Sequence, residues 1–212
     1  MDVTVWEAIR GQRSTWRFKP DPVPEEHVRK VIEAATYAPS GGNFQPWRFV
    51  VVRDGERRRQ VRDLYLRAWD VYRPAAQRLL GSTIPRSMSD SADHLARNFH
   101  LVPVHIVACM LQRPPAYTLR DEEGKALDVG SEGSSVFPAV QNLMLAAVGL
   151  GLATRLLTLH RIFETELKSL LAIPAEVETV ALIPLGYPDG QFKLRKRLSV
   201  DDITHWERWR AE

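Results

Sequence analysis

Residues 38–49 read Ala-Pro-Ser-Gly-Gly-Asn-Phe-Gln-Pro-Trp-Arg-Phe, and the chain then continues into Val50, Val51 and Val52. A polar, glycine-rich loop between two prolines therefore runs directly into a β-branched segment typical of a buried strand. The glycines let the backbone approach a neighbour closely, and the serine and two amides offer hydrogen-bonding groups without fixed charge. This pattern predicts a loop held against a buried strand, with polar groups free to meet a ligand.

The segments on either side of this loop alternate between helical and strand-like patterns. Apolar residues at helical spacing predict helices over 24–37, 56–80, 131–148 and 164–173, and Thr4 with Glu7 forms a capping-box pattern that starts a shorter one. Apolar β-rich runs predict strands over 47–53, 101–111 and 177–186. Residues 81–98 are polar and predicted to be irregular, with a short helix near 91–99. The strands are few and the helices long, which favours an α+β fold with a mixed sheet flanked by helices.

The composition indicates one globular domain over residues 1–212. Hydrophobic residues make up 44% of the chain and the net charge is +3, without a concentrated basic stripe of the kind that binds nucleic acid. The single cysteine, Cys109, cannot form an intrachain disulfide and is expected to be buried. The first residues lack the apolar core of a secretory signal, and the longest uncharged apolar run is too short to cross a bilayer. We therefore expect a cytoplasmic protein.

Several familiar catalytic patterns are missing from the sequence. It contains no His-Glu-x-x-His metal motif, no Gly-x-Ser-x-Gly nucleophile elbow and no Walker A loop. The glycines of residues 149–154 follow a predicted helix and are expected to end it, and His100 and His105 are expected to be structural. If the protein is an enzyme, a bound molecule must supply the reactive atom.

Two arginine clusters offer donors for an anion. Arg10, Arg13 and Arg17 form the first, and Arg195 with Arg197 belongs to the second. Arginine suits phosphate because its planar fork donates two parallel hydrogen bonds. Phosphate donors combined with the uncharged groups of the loop suggest a mononucleotide such as FMN. A solvated basic surface, and a loop that only caps a strand, are equally consistent with the residues.

The chain also resembles a known family, the nitroreductase family of FMN-dependent oxidoreductases. The similarity rests on five segments that occur in the same order. These are RSTWRFKPDPVP (13–24), APSGGNFQPWRFVVV (38–52), FPAVQNLMLAAVGLGLATRLLTLH (137–160), LIPLGYP (182–188) and RKRLSVDDITHWERW (195–209). Because these segments span nearly the whole chain, the resemblance implies the family's α+β fold, with a mostly antiparallel central sheet, a long buried central helix and a homodimer.

The resemblance also implies that FMN binds at the subunit interface. One subunit is expected to supply Arg13 and Ser14, with Arg195 and Arg197 closing on the phosphate, and the other subunit to supply the loop residues Pro39, Ser40, Gly41 and Asn43. Ser135, Leu156, Leu157 and Thr158 are expected to approach the flavin ring. Trp16, Arg17 and Gln45 complete the implied cofactor-binding residues. Variable segments over about 69–100 and 113–130 are expected to form a lid and to choose the substrate.

This chain departs from the family pattern at two positions. Trp16 stands where members often have Arg or Lys, and Gln12 replaces another basic residue. A neutral indole cannot neutralise phosphate or negative charge on a reduced flavin. Either Arg17 takes over that role, or the site holds its cofactor with less positive charge.

The implied chemistry is a ping-pong reaction in which no catalytic side chain is needed. NADH or NADPH is expected to reduce the flavin, which then passes electrons to a nitroaromatic, a quinone or a similar electron-poor molecule. Two alternatives remain open at this stage. One is a flavin-binding protein without turnover, used for storage or sequestration, and the other is a family enzyme with different flavin chemistry such as dehalogenation or dehydrogenation. The sequence does not distinguish NADH from NADPH and does not identify the electron acceptor.

Overall fold

The computed structural model of the protein describes residues 3–80, 85–112, 120–127, 133–190 and 196–209. The helices are α1 (Val5–Gly11), α2 (Glu25–Thr36), α3 (Gly55–Leu80), α4 (Arg86–Asn98), α5 (Val136–Gly149), α6 (Glu164–Leu171) and α7 (Val200–Ile203). The strands are β1 (Trp47–Val52), β2 (Val104–Met110), β3 (Ala153–Thr154) and β4 (Glu178–Gly186). No described helix combines the length and the apolar character needed to cross a membrane.

The four strands form one antiparallel sheet in the order β1-β2-β4-β3. Side chains alternate between the two faces of each strand. Ile106 and Ala108 therefore point into a core with α2 and α5, whereas Val107 and Cys109 point into a second core with α3, α4 and α6. The α+β fold predicted from the sequence, with its mostly antiparallel sheet and central helix, is confirmed.

Most of the predicted elements appear close to their expected bounds. The capping box at Thr4 and Glu7 starts α1, and Cys109 is buried as a free thiol. The prediction that residues 81–98 are largely irregular is wrong for the described part, because α4 occupies 86–98. Its polar sequence hides a narrow apolar stripe, Ala92, Leu95 and Ala96, which is buried against α3. The central helix begins at 136 rather than 131, with Ser135 as its N-terminal cap residue.

The end of α5 determines how the next strand enters the sheet. Gly151 has a φ of +70°, its N–H bonds to the carbonyl of Val148, and the N–H of Leu152 bonds to the carbonyl of Ala147. These two bonds form a Schellman motif, in which a glycine takes the left-handed conformation that ends a helix. The prediction that these glycines end the helix is confirmed. The turn sends the chain directly into β3 and then into residues 155–159.

A buried histidine connects the sheet with α3. His105 is fully buried on β2, its Nε2 lies 2.9 Å from the carbonyl oxygen of Phe99, and its ring stacks on Phe99 at 4.2 Å. The ring of Phe99 stacks in turn on Tyr65 of α3 at 5.0 Å. Burial lowers the pKa of His105 to about 3, so the imidazole is neutral in the folded protein at ordinary pH. The expectation that this histidine is structural agrees with these contacts.

His105 should make stability depend on pH in the mildly acidic range. Its pKa is lower in the folded chain than in the unfolded chain, so the unfolded chain takes up the proton first and stability falls as pH drops below about 6.5. At 1.36 kcal/mol per pKa unit, this one group should cost about 2 kcal/mol between pH ~7 and pH ~5. Urea unfolding of wild type and His105→Gln across this range tests the prediction. The variant should show the flatter profile, and parallel profiles would contradict it.

Candidate functional site

The N-terminal extended segment lies along the sheet edge formed by β3. The N–H of Thr15 bonds to the carbonyl of Thr154 at 3.1 Å, and Ser14 forms a parallel bridge with Thr154. Further along, Lys19 N–H bonds to the carbonyl of Tyr187 at 2.9 Å. This pairing places the residues around Trp16 beside those that follow β3, although the two segments are about 140 positions apart in the sequence. Two predicted parts of the site are therefore neighbours.

A cavity of about 830 Å³ opens where these two segments face α3 and α4. Its size lies within the range of about 300–1,000 Å³ that is usual for small-molecule sites. One side consists of Trp16 and residues 155–159. The facing side consists of one face of α3, with the aromatic residues Tyr65, Trp69 and Tyr72, together with part of α4. Four aromatic side chains thus line the cavity, as suits a flat ligand.

The segment after β3 is fixed to the sheet by one residue. Leu157 forms two backbone hydrogen bonds with Leu182, at 3.0 and 2.9 Å. Backbone N–H groups alternate in direction along an extended chain, so those of Leu156 and Thr158 point away from β4. No hydrogen bond among the described residues engages these two amides. Both residues line the cavity, where their N–H groups are available to a ligand.

Arg155 is the least exposed of the three arginines that line the cavity. Its guanidinium carbon lies 3.2 Å from the centroid of the Trp16 ring, a cation–π contact. Burial lowers the pKa of Arg155 to about 10, which still leaves it charged at neutral pH. Burial also raises the pKa of the neighbouring Tyr65 to about 12, although the charge of Arg155 works in the opposite direction. The hydroxyl of Tyr65 therefore remains protonated.

Arg155 and Tyr65 are not among the predicted site residues, whereas Trp69 and Tyr72 fall within the segment of about 69–100 that is predicted to choose the substrate. In the sequence, the α3 aromatics fit the buried face of an amphipathic helix, and only the fold shows that they border a cavity. Arg155 did leave a signal, because it is the single charged residue between Leu143 and His160. A charged residue inside a long apolar segment needs a partner or a ligand.

The remaining predicted residues lie in other places. Arg17 is exposed and its Nη1 lies 3.3 Å from Nε2 of His94, outside the cavity wall. Arg13 is half-buried and donates to the carbonyl of Gln12. Ser135 begins α5, which packs on the opposite face of the sheet. Arg197 is exposed, whereas Arg195 lies outside the described residues.

The loop of residues 38–46 is far from the cavity of its own chain. It precedes β1, while the cavity borders β3, and three strand spacings of about 4.8 Å put these edges about 14 Å apart. Pro39, Gly41, Asn43 and Gln45 are exposed and Ser40 is half-buried. Pro46 and Trp47 are buried, and the carbonyl of Pro46 accepts a hydrogen bond from the N–H of Leu111. The loop is thus anchored at its end and presents its polar groups outward.

The backbone of this loop is strained. Gly42, Asn43 and Gln45 have φ values of +60°, +54° and +50°. A positive φ is easy for glycine, tolerated by asparagine and unfavourable for glutamine, at a cost of about 1–3 kcal/mol. The N–H of Gln45 bonds to Oγ of Ser40 at 3.0 Å, and its side-chain amide lies 3.2 Å from Oδ1 of Asn43. Internal hydrogen bonds therefore hold the loop in an unusual shape, as is common at binding sites.

The part of the chain that contains the cavity and the loop matches a known protein family. The model of the nitroreductase family matches residues 9–187. The chain belongs to the nitroreductase family. Residues 9–187 include the loop, the Trp16 segment and all the residues that line the cavity.

Similarity to individual proteins supports membership of this family. An NADH dehydrogenase of Thermus thermophilus is 30% identical over 208 residues, covering 94% of both chains. A structure of iodotyrosine deiodinase bound to FMN and 3-iodo-L-tyrosine has a TM-score of 0.72 and 22% identity, covering 97% of this chain and all of the other. A structure of the FMN- and NADPH-dependent nitroreductase NfnB of Sphigopyxis sp. strain HMH has a TM-score of 0.70 and 20% identity. The match covers 98% of this chain and all of the other. The fold is thus shared by proteins with different reactions.

A carboxylate between α3 and α4 fixes the aromatic wall of the cavity. Oδ1 of Asp93 accepts a hydrogen bond from Nε1 of Trp69 at 3.2 Å, and Oδ2 accepts one from Arg97 at 2.8 Å. The hydrogen bond from Arg97, helped by the one from Trp69, holds the pKa of Asp93 below its usual value. Arg73 lies 3.6 Å away on the same side. Asp93 therefore joins two helices through an aromatic ring and two cations.

We expect Asp93→Ala to loosen this wall. The indole N–H of Trp69 would lose its acceptor, and an unsatisfied partly buried donor costs about 1–3 kcal/mol. The free energy of unfolding in urea should fall by that amount. Asp90→Ala is the matched control, because Asp90 is exposed on the same helix and removes the same charge. Equal losses in the two variants would show that Asp93 has no special role.

Proposed function

We propose that this protein is an FMN-dependent oxidoreductase that takes electrons from NADH or NADPH and passes them to an electron-poor small molecule, such as a nitroaromatic or a quinone. The observation that carries the proposal is the cavity, where Trp16 and Leu156–Thr158 meet an aromatic wall. Membership of the nitroreductase family and the similarity to an NADH dehydrogenase support an oxidoreductase. The FMN named for two structural neighbours supports the cofactor.

The residues of the cavity fit a flavin. The unengaged amides of Leu156 and Thr158 can donate to its polar ring edge, and the aromatic walls can cover its apolar part. Arg155 lines the cavity beside Trp16, and its positive charge suits an electron-rich ring edge. When bound, FMN would supply the hydride and electron chemistry, while the protein supplies position and electrostatics.

The cofactor site is proposed to require two subunits. The loop of residues 38–46 presents Ser40, Gly41 and Asn43 outward at one edge of the sheet, whereas the cavity lies at the other edge. This separation supports a site in which a second copy of the chain supplies the loop. Large apolar side chains at both termini are exposed and offer surface for such a contact, among them Trp6, Leu198, Val200, Trp206 and Trp209. Arg13 and Ser14, with Arg195 and Arg197, remain the predicted phosphate donors.

Other reactions of the same cofactor form the second candidate. Iodotyrosine deiodinase shares the fold, so reductive dehalogenation is the alternative that a specific neighbour favours. The residues proposed to choose the substrate are those of α3 and α4 within 69–100, because this part of the chain forms the cavity wall opposite residues 155–159. Much of the second proposed lid, 113–130, lies outside the described residues. A location in the cytoplasm remains a prediction from the sequence.

Purified protein tests the proposed function directly. We expect a yellow preparation with flavin absorption bands, or uptake of added FMN, followed by anaerobic bleaching with NADH or NADPH. Addition of a nitroaromatic, a quinone or an iodinated aromatic should restore the oxidised spectrum and identify the acceptor class. Bound flavin that stays oxidised with both donors would favour a binding protein without turnover. Protein that takes up no FMN would refute both readings.

The shared site can be tested by complementation between subunits. Arg13→Ala should weaken FMN binding by about 1.5–3 kcal/mol, through loss of a charge-assisted contact. A loop variant with Ser40→Ala and Asn43→Ala should also bind weakly. In a mixed dimer of the two variants, one site receives both defects and the other receives none. Tagged, purified mixed dimers should thus regain one FMN site with wild-type affinity, whereas a site built within one chain would regain none.

A further inference from the structure

Arg155 is a half-buried cation that has no carboxylate partner among the described residues. It belongs to none of the ion pairs formed among the described residues, and its Nε and Nη1 are buried without a hydrogen-bond partner there. Unpaired buried donors are costly, and the cost is greater when the group carries charge. The contact with Trp16 compensates for part of this cost but satisfies no N–H group. Arg155 therefore lines the cavity with its charge balanced by no carboxylate, and its guanidinium is held by the ring of Trp16.

The other arginines near the cavity are in a different situation. Arg73 is paired with Asp93 at 3.6 Å, and Arg86 is exposed. Arg17, the residue that the sequence favoured for this role, is exposed and lies against His94. A charge acts more strongly where water is excluded, because the local dielectric constant is lower. Burial thus gives Arg155 the largest effect on a molecule in the cavity.

The position of Arg155 in the chain relates it to one part of the proposed ligand. It immediately precedes Leu156, Leu157 and Thr158, the segment expected to approach the redox edge of the flavin, and it contacts Trp16 from the other predicted segment. The proposed reaction also creates a negative charge on the flavin ring, on its pyrimidine side. NAD(P)H gives up two electrons and one proton as a hydride and leaves as NAD(P)⁺, so the cavity gains one negative charge unless a second proton enters.

Resting on the proposed function, we propose that Arg155 supplies the positive charge that Trp16 does not, and stabilises the negative charge of the reduced flavin by donating to its electron-rich ring edge. Trp16 is a positioning residue in this arrangement, because its ring face holds the guanidinium at the cavity wall. The tryptophan that stands where relatives often have a basic residue is thus paired with an arginine from the segment that follows β3. The charge is moved from position 16 to position 155 rather than lost.

The reduction potential of bound FMN tests this proposal. Arg155→Met keeps the length of the side chain and removes the charge, so it should weaken binding of reduced FMN at least about tenfold more than binding of oxidised FMN. For a two-electron couple a tenfold difference corresponds to a potential lower by about 30 mV. Arg155→Lys should keep most of the wild-type potential. Anaerobic titration against reference dyes, with FMN affinity measured by fluorescence, provides both numbers.

Control variants distinguish the effect of charge at the cavity wall from the effect of removing a charge elsewhere on the protein. Arg78→Met removes one exposed charge from α3 and should leave the potential unchanged. Trp16→Ala should lower the potential and Trp16→Phe should restore it, because an aromatic face suffices to hold the guanidinium. Thermal unfolding and retained FMN show that each variant is folded. If Arg155→Met fails to fold, Arg155→Gln takes its place.

Four outcomes would overturn the proposal. The first is an unchanged potential in a folded, FMN-bound Arg155→Met protein, and the second is an equal shift in Arg155→Lys. The third is a shift in Arg17→Met instead, which would return the role to the residue favoured by sequence. The fourth is an Arg155→Met protein whose potential is unchanged but whose KM is raised for a nitrobenzoate and not for a neutral nitroaromatic. This result would show that Arg155 binds the carboxylate of a substrate instead. Wild-type protein that takes up no added FMN would refute the proposed function itself, and this result would be seen before any variant is made.

Discussion

The site depends on a backbone pairing at the edge of the sheet. The hydrogen bond from Thr15 to Thr154 joins an extended N-terminal segment to a strand of only two residues. Proline-rich sequence on one side and a Schellman turn on the other leave both segments few alternatives. Without this pairing, Trp16 and Arg155 would not meet, and the cavity would lack one wall. A short piece of sheet thus determines where the charge of the site lies.

The sequence predicted the fold better than it predicted the site. Long periodic segments such as α3 and the β-branched run of β1 are recognisable because burial imposes their periods. The helix α4 was largely missed because its apolar stripe is narrow and consists mainly of alanine, which carries little pattern. The site is harder, since Arg155, Trp16 and Tyr65 come together through strand order and helix packing. The spacing of residues along the sequence predicts neither the strand order nor the helix packing.

The loop of residues 38–46 shows what composition can and cannot indicate. Its glycines and amides predicted a backbone able to approach a polar group, and the structure shows a strained turn anchored by Pro46 and Trp47. Composition could not reveal that this turn lies at the opposite sheet edge from the cavity of its own chain. That separation is the reason for proposing that a second subunit supplies the loop.

An arginine held on an indole differs physically from a basic side chain at position 16. A lysine there would be a flexible point charge, free to turn toward solvent, whereas stacking on Trp16 confines the guanidinium to a plane at the cavity wall. Confinement lowers the entropy that is lost when the ligand binds, and burial strengthens the interaction by excluding water. The same burial makes the empty site costly, since two nitrogens lack partners. The arrangement therefore lowers the free energy of unfolding of the chain, and it places a charge where its interaction with a bound molecule is strongest.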